Sequence, residues 1–227
     1  QLVHQEGMRW GQIFGNGIKR NEDGVPIIGS DGLPENDKEV FFGSALPRFT
    51  GGVQNSFRYK DFSLAANIDW GIGGKFVSLS NMWGSYSGLT ARTAGINDKG
   101  NPVRDAVEDG GGIRVDGVDA DGNAVSNYIG AQDYFHGLYN KLLFDDYVYD
   151  LTFVKLRSVS IGYNIPVAKL NWSKFIRTAN ISVVANNPLI IYAKTKDFDP
   201  SEVSSVDGER GQLPSTRGFG FNLRIGF

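Results

Sequence analysis

The last eleven residues, Arg217-Gly218-Phe219-Gly220-Phe221-Asn222-Leu223-Arg224-Ile225-Gly226-Phe227, constrain the fold more than any other stretch of this chain. Phe219, Phe221, Leu223, Ile225 and Phe227 take every second position, and only Gly, Asn or Arg stands between them. A period of two belongs to a β-strand with one apolar face and one polar or empty face. In water, an exposed aromatic strand at a sheet edge invites aggregation. In a bilayer the requirement inverts: the outer face of a closed barrel is apolar, its lumen is polar, and its last strand pairs with its first. The pattern therefore predicts an all-β, transmembrane antiparallel barrel rather than the edge of a soluble β-sandwich.

Bulk properties agree with a barrel without requiring one. The chain has 227 residues, 41% of them hydrophobic, no Cys, 30 Gly and a formal charge of −2. No apolar run approaches the roughly eighteen residues of a transmembrane helix. A transmembrane barrel produces no such run, because half of every strand faces water. The near-neutral charge gives no support to nucleic-acid binding. Gln1 opens the chain with neither a charged n-region nor an apolar h-region, so a signal peptide is expected elsewhere.

Five further strands can be placed. The clearest is Phe62 to Ile72, where Phe62, Leu64, Ala66, Ile68, Trp70 and Ile72 share a face opposite Ser63, Ala65, Asn67, Asp69 and Gly71. About eleven residues is the length a tilted strand needs to cross the hydrocarbon. Arg48 to Tyr59 precedes it across Lys60-Asp61, a two-residue hairpin turn. Asp150 to Ile165 changes phase along its length: Val154 and Leu156 are apolar on one parity, Val159, Ile161, Tyr163 and Ile165 on the other. A bulge near Arg157, or emergence above the bilayer, would account for the change. Ala179 to Ala185 is a strand ended by Asn186-Asn187-Pro188, followed by apolar Leu189 to Tyr192, and Arg9 to Phe14 is the sixth. Leu170 to Ile176 reads as a short helical or irregular turn, and Ala131 to Leu143 as a helix with Tyr134, Leu138 and Leu142 at helical spacing.

The connectors alternate short with long. Lys60-Asp61 and the stretch from Pro166 to Thr178 are short; Gly15 to Pro47, Gly73 to Tyr149 and Ala193 to Thr216 are long. Short periplasmic turns and long extracellular loops are the habit of outer-membrane barrels, which puts Phe227 at the periplasm and the long loops outside. Within those loops, Asp23-Gly24-Val25-Pro26-Ile27, Lys99-Gly100-Asn101-Pro102-Val103 and Asp121-Gly122-Asn123-Ala124-Val125 repeat a turn followed by an apolar residue, each a predicted hairpin tip.

Several segments together resemble the SusC/RagA family of TonB-dependent outer-membrane transporters. They are Tyr149 to Pro166; Asn186-Asn187-Pro188-Leu189; Asp197-Phe198-Asp199-Pro200-Ser201-Glu202, with Ser201 a departure; Leu213-Pro214-Ser215-Thr216-Arg217 with the closing strand; and, upstream, Leu46 to Gly52 and Tyr59 to Leu64. The resemblance implies a barrel of about 22 strands plugged by an N-terminal domain, of which residues 1–227 would be the C-terminal part, about six strands. The signal peptide, plug and earlier strands would lie outside this chain. It also implies active import of an oligosaccharide or oligopeptide. The implied partners are the rest of the same transporter, a SusD-like surface lipoprotein, TonB acting through the plug, outer-membrane lipid and the barrel-assembly machinery, which reads a final aromatic such as Phe227. A passive porin or structural barrel without TonB coupling is the alternative.

Catalysis finds no support: Cys is absent, and His4 and His136 stand far apart with no nucleophile motif beside either. No cofactor is expected. A calcium ion near Asp119 and Asp121 is conceivable in a loop, but the sixth position counted from Asp119 is Ala124 where an EF-hand loop has Gly, so a solvated hairpin is the simpler reading. Gly110-Gly111-Gly112 lacks the Lys-Ser/Thr of a phosphate loop. Tyr59, Trp70, Tyr163, Trp172 and Phe227 fall near strand ends and are expected at the membrane interface. Trp83 and Tyr86, in the largest loop, are candidate substrate contacts. Asn67 and Asp69 are candidate lumen contacts and, like Ser158 and Asn164, are expected to face the lumen.

Overall fold

The computed structural model describes residues 1–170, 174–203 and 208–227. In chain order the strands and helices are β1 (Leu2–Val3), β2 (Gln12–Ile18), β3 (Asn36–Ser44), β4 (Phe49–Tyr59), β5 (Phe62–Ile72), β6 (Lys75–Val77), α1 (Leu79–Tyr86), β7 (Ile113–Val118), β8 (Ala124–Ile129), α2 (Ala131–Asn140), β9 (Val148–Asp150), β10 (Phe153–Ile165), β11 (Thr178–Ala193) and β12 (Gly218–Gly226). They fall into two units. A loop unit comprises Gln1–Ala45, Lys75–Tyr149 and Ser205–Gly211; a sheet unit comprises Leu46–Gly74, Asp150–Ser204 and Gln212–Phe227.

The sheet unit is one antiparallel sheet in the order β12-β11-β10-β5-β4. Its register turns the alternation of each strand into continuous rows. Phe57, Leu64, Ile161, Val183 and Phe221 stand side by side across all five strands, and Tyr59, Phe62, Tyr163, Ile181 and Leu223 form the next row on that face. The opposite face carries Arg58, Ser63, Gly162, Ser182 and Asn222, then Gln54, Asn67, Ser158, Asn186 and Gly218. The first apolar row is left largely bare, from 41% exposed at Leu64 to 65% at Phe221. Full burial of such a side chain contributes roughly 1.5–3 kcal/mol, so a sheet with several bare apolar rows is stable only against another apolar phase.

The change of phase within β10 is a bulge. Leu156 pairs with Ile68 and Ser158 with Asn67, which leaves Arg157 as the extra residue. It lets Val154 and Leu156 share the apolar face with Val159, Ile161 and Tyr163 despite their opposite parity. Two expectations are corrected. Asn186-Asn187-Pro188 does not end β11, which runs on to Ala193. The partner of Leu156 is Leu189 and that of Ser158 is Asn186, so the tripeptide is absorbed as irregularity in the ladder, with Asn187 at φ 47° and its amide donating to Thr216 O. The strand expected from Asp150 to Ile165 is interrupted at Leu151-Thr152, where Asp150 Oδ1 accepts from both the Thr152 N–H and its hydroxyl, a local bond that competes with the ladder.

In the loop unit, the strand expected at Arg9 to Phe14 lies instead at Gln12–Ile18. It is the centre of a sheet ordered β1-β2-β3, so the connector from Gly15 to Pro47 contains a strand of its own. The long loops are folded. Ile18, Ile113 and Tyr134 pack on a core of Val103, Ala131, Phe135, Leu138 and Leu143. Helix α2 buries Ala131, Phe135 and Leu138; Leu142, expected on that face, lies past the helix end at φ 54° and is exposed. Gly137 is explained by close approach, since a Cβ there would come within 2.2 Å of Leu33 Cδ1.

All three expected hairpin tips form, and by one device. Asn21, Asn97 and Asp119 each accept two backbone N–H bonds through one side-chain oxygen, from Asp23 and Val25, from Lys99 and Asn101, and from Asp121 and Asn123. The Gly one residue before the second donor takes positive φ in each: Gly24, Gly100 and Gly122.

Candidate functional site

The loop unit holds a cleft of about 580 Å³ between the C-terminal end of α1 and the N-terminal end of α2, lined by Tyr86, Arg104, Asp105, Gln132, Phe135 and His136 among others. Its position follows from how the helices start. Ser78 caps α1 by accepting from Asn81 N, and buried Glu209 accepts from the Ser78 and Ser80 hydroxyls, at 2.6 and 2.7 Å. Helix α2 begins at Gly130, whose lack of a side chain leaves the first turn uncapped. The Tyr86 and His136 rings stack with centroids 4.0 Å apart and 16° between planes, and His136 Nε2 lies 3.1 Å from Tyr86 O. Tyr139 tilts against Tyr86 at 4.7 Å. Arg104 is held by the carbonyls of Thr93 and Gly88. Beneath, Arg92 pairs with Asp146 and lies over the rings of Phe135 and Tyr147. Burial is the main reason that the Tyr134 hydroxyl is pushed up to about 12, with Asp146 adding to it. The cleft offers an aromatic platform beside carboxylate, amide and imidazole groups, a lining suited to a polar ligand with apolar faces.

The sheet unit holds a second constellation, on its polar face. Lys155, 1% exposed, donates to Asp199 Oδ2 at 2.7 Å, Ser201 Oγ at 2.9 Å and Ser215 Oγ at 2.5 Å, and Glu202 Oε1 lies 3.3 Å away as a second ion partner. Arg157, placed by the bulge, donates through Nε to Asp69 Oδ2 and through Nη1 to Glu202 Oε1, both at 2.8 Å. Burial raises the Asp199 carboxyl, but bonds from Lys155, Ser201 and Ser215 outweigh it and hold the group at about 2. Glu202 is likewise lowered, Arg157 and Lys155 overcoming the effect of burial.

The sequence-derived candidates scatter over these two places. Tyr86 lines the cleft; Trp83, 48% exposed, stands on the same helix but outside the lining. Asn67 lies on the polar face, in the row with Gln54 and Ser158. Asp69 is on that face too, but its Oδ2 is committed to Arg157, so its first role is in the wall, while its Oδ1 is buried without a partner among the described residues. Tyr59 and Tyr163 share one row, at the end of the sheet that carries the Lys60-Asp61 turn, and Tyr163 packs on Phe62 at 4.7 Å. Phe227 follows β12 at that same end and is 81% exposed. Trp70 is toward the other end, its ring over Gly51, where a Cβ would meet it at 2.7 Å. Trp172 lies outside the described residues. Asp119 spends its oxygens on Asp121 N, Asn123 N and Asn123 Nδ2, and among the described residues no three His, Cys, Asp or Glu stand together as a metal would need. No sequence pattern singles out His136, Arg104, Asp105 or the Lys155 network as site residues.

No family model matches the chain, and no curated protein matches it. Solved structures do. The RagAB peptide importer in its "closed-closed" state matches with a TM-score of 0.56 at 14% identity, over 95% of this chain and 23% of that one. The same importer in its "open-open" state gives 0.56 at 15% identity, over 96% and 22%. The likeness is one of fold. This chain spans less than a quarter of the length of the chains it matches. The neighbours are transporters; strand is the commonest regular structure among the described residues, and none of their helices is long and apolar enough to cross a membrane.

Proposed function

We propose that this chain is wall and outer loops of a SusC-like outer-membrane barrel that imports a nutrient oligomer. The observation that carries the reading is the five-stranded sheet with one bare apolar face and one polar face in continuous register. Lipid is the apolar phase such a face requires, and a water-filled lumen accommodates the other. Between the row of Phe62 and that of Trp70 the strand advances eight residues, roughly 26 Å, and Tyr59, Tyr163 and Phe227 at one end with Trp70 at the other suit interfacial aromatics. The fold likeness to the RagAB peptide importer supports nutrient import in general.

In this reading the Lys60-Asp61 turn and Phe227 are periplasmic, and the loop unit is extracellular. A SusD-like lipoprotein covers the loops, and TonB drives a plug carried elsewhere in the protein. Tyr86, with Trp83 beside it, meets the incoming oligomer at the mouth; Asn67 faces the lumen. The test is to purify the whole protein from its native membrane in detergent. A heat-modifiable barrel with a co-purifying lipoprotein, and uptake lost when TonB is removed, is the expected result. Recovery of a detergent-independent soluble monomer would refute the reading, and uptake that persists without TonB would refute the energy coupling.

A further inference from the structure

The connector after β11 was expected to be an outward loop. Its two stretches in the sheet unit lie over the polar face. Lys155 lies in the row of Asp69 and Gly52, on the polar face of the sheet, yet it is 1% exposed because the connector covers it. The cover is built in two stretches. Lys194 N–H donates to Thr152 O, Lys194 Nζ pairs with Asp150, and the Thr195 hydroxyl donates to Asp150 O, which turns the chain back at the top of β11. Asp199 then caps the short turn Pro200–Glu202 and meets Lys155 from above. Ser215, on the returning stretch, donates to Asp199 Oδ2 and accepts from Lys155. Arg157 completes the arrangement by tying Glu202 to Asp69 on the neighbouring strand.

We propose that residues 194–203 and 212–217 form a strap folded over the polar face, that Lys155 is the positioning residue that locks it there, and that the strap sets the size of solute that can pass along this side of the lumen. The proposal rests on the barrel reading above. A loop that only decorated the outer rim would have no use for a fully buried cation with four partners. Removing Lys155 strands the Asp199 carboxylate in a buried site, and the low-energy escape is for the strap to lift into water. The strap therefore has two positions whose balance is set by this one ion pair and its hydroxyl partners.

The chain has no Cys, so an introduced thiol is the only one within these residues, and labelling is read on the peptide that carries it. In the whole protein in native membranes, Ser160→Cys reports access to the polar face and Ile161→Cys access to the apolar face, since the two are neighbours on β10. A small and a polymer-extended water-soluble maleimide are compared. With Lys155 in place, the large reagent should label Ser160→Cys about tenfold more slowly than the small one, the ratio that 1.4 kcal/mol of closure gives. Lys155→Met should bring the two rates together. An unchanged ratio in Lys155→Met would overturn the proposal and leave the network a purely structural one. If Lys155→Met does not assemble, Asp199→Asn, which keeps the shape of the side chain but removes the charge that Lys155 is paired with, takes its place under the same criterion. Ile161→Cys should resist both water-soluble reagents and react with a lipid-soluble one. Its labelling as readily as Ser160→Cys would sink the barrel reading itself, whatever the strap does.

Discussion

The buried ion pair between Lys155 and Asp199 makes a quantitative prediction whose sign reverses on mutation. Asp199 sits at about 2 against an ordinary 3.8, and its side chain is only 6% exposed. A difference of nearly two units corresponds to about 2 kcal/mol of stability. Because the folded value is depressed, that contribution is fully present above about pH 4 and is lost as pH falls toward about 2. Lys155→Met removes the only cation that Asp199 is bonded to among the described residues, while Glu202 keeps Arg157. Stripping one partner from a buried pair costs about 3–5 kcal/mol. With the cation gone, burial is the largest influence left on Asp199 wherever the strap stays closed, and it pushes the carboxyl up there. The folded state of the variant then binds the extra proton, so its stability should increase as pH falls from 7 toward 5, over a range where Asp199 in the parent does not titrate. Adding Asp199→Asn to Lys155→Met should recover most of the loss and flatten the pH dependence. The assay is the temperature of the heat-modifiable mobility shift of the whole protein in detergent, across that pH range, for the four members of the double-mutant cycle. A coupling energy under about 0.5 kcal/mol, the level expected of independent sites, would refute the reasoning.

Three further outcomes are expected. Gly208→Ala should destabilise the loop unit by at least about 2 kcal/mol, because φ there is +93° and a Cβ would lie 2.2 Å from the Val77 carbonyl; limited proteolysis of the whole protein would report it. Asn97→Ala should loosen its hairpin by about 2 kcal/mol, since Asn97 accepts from Lys99 and Asn101 and donates to the Gly110 and Gly112 carbonyls, and hydrogen exchange at residues 97–112 should rise. A calcium chelator should leave exchange at residues 116–126 unchanged, because backbone and Asn123 donors already occupy Asp119; a slowing on calcium addition would show an ion site there.

What could be read from the sequence was set by range. Each strand of the sheet unit writes its own alternation, because side chains on a strand need only agree with the solvent on either face. Phe62 to Ile72 and its Lys60-Asp61 turn are therefore legible to the residue. Even the bulge at Arg157 left a trace, as a change of parity between Leu156 and Val159. The errors came where a local signal was outvoted. Pro188 reads as a stop, yet β10 pairs with β11 before it, at Asn186, and again after it, from Leu189 to Ala193. Leu142 has helical spacing from Leu138, but the chain turns to φ 54° before it can be buried.

The site residues were invisible for a different reason. Tyr86 and His136 are fifty positions apart, and their stacking depends on two helices whose starts are fixed by Ser78 and Gly130. No periodicity links them. The Lys155 network is similarly spread over β5, β10 and the two stretches of the connector. One residue did carry a hint. Ser201 separates Pro200 from Glu202 and departs from the pattern that the Asp199 segment otherwise resembles. In the structure its hydroxyl donates to Asp199 and accepts from Lys155, so the departure places a hydrogen-bonding group between a buried cation and its counter-ion. Ser201→Ala should accordingly weaken the lock without stranding a charge. It would cost about 1 kcal/mol where Lys155→Met costs several, and it should shift the labelling ratio at Ser160→Cys in the same direction by less. An effect of Ser201→Ala as large as that of Lys155→Met would mean that the hydroxyls, and not the ion pair, hold the strap.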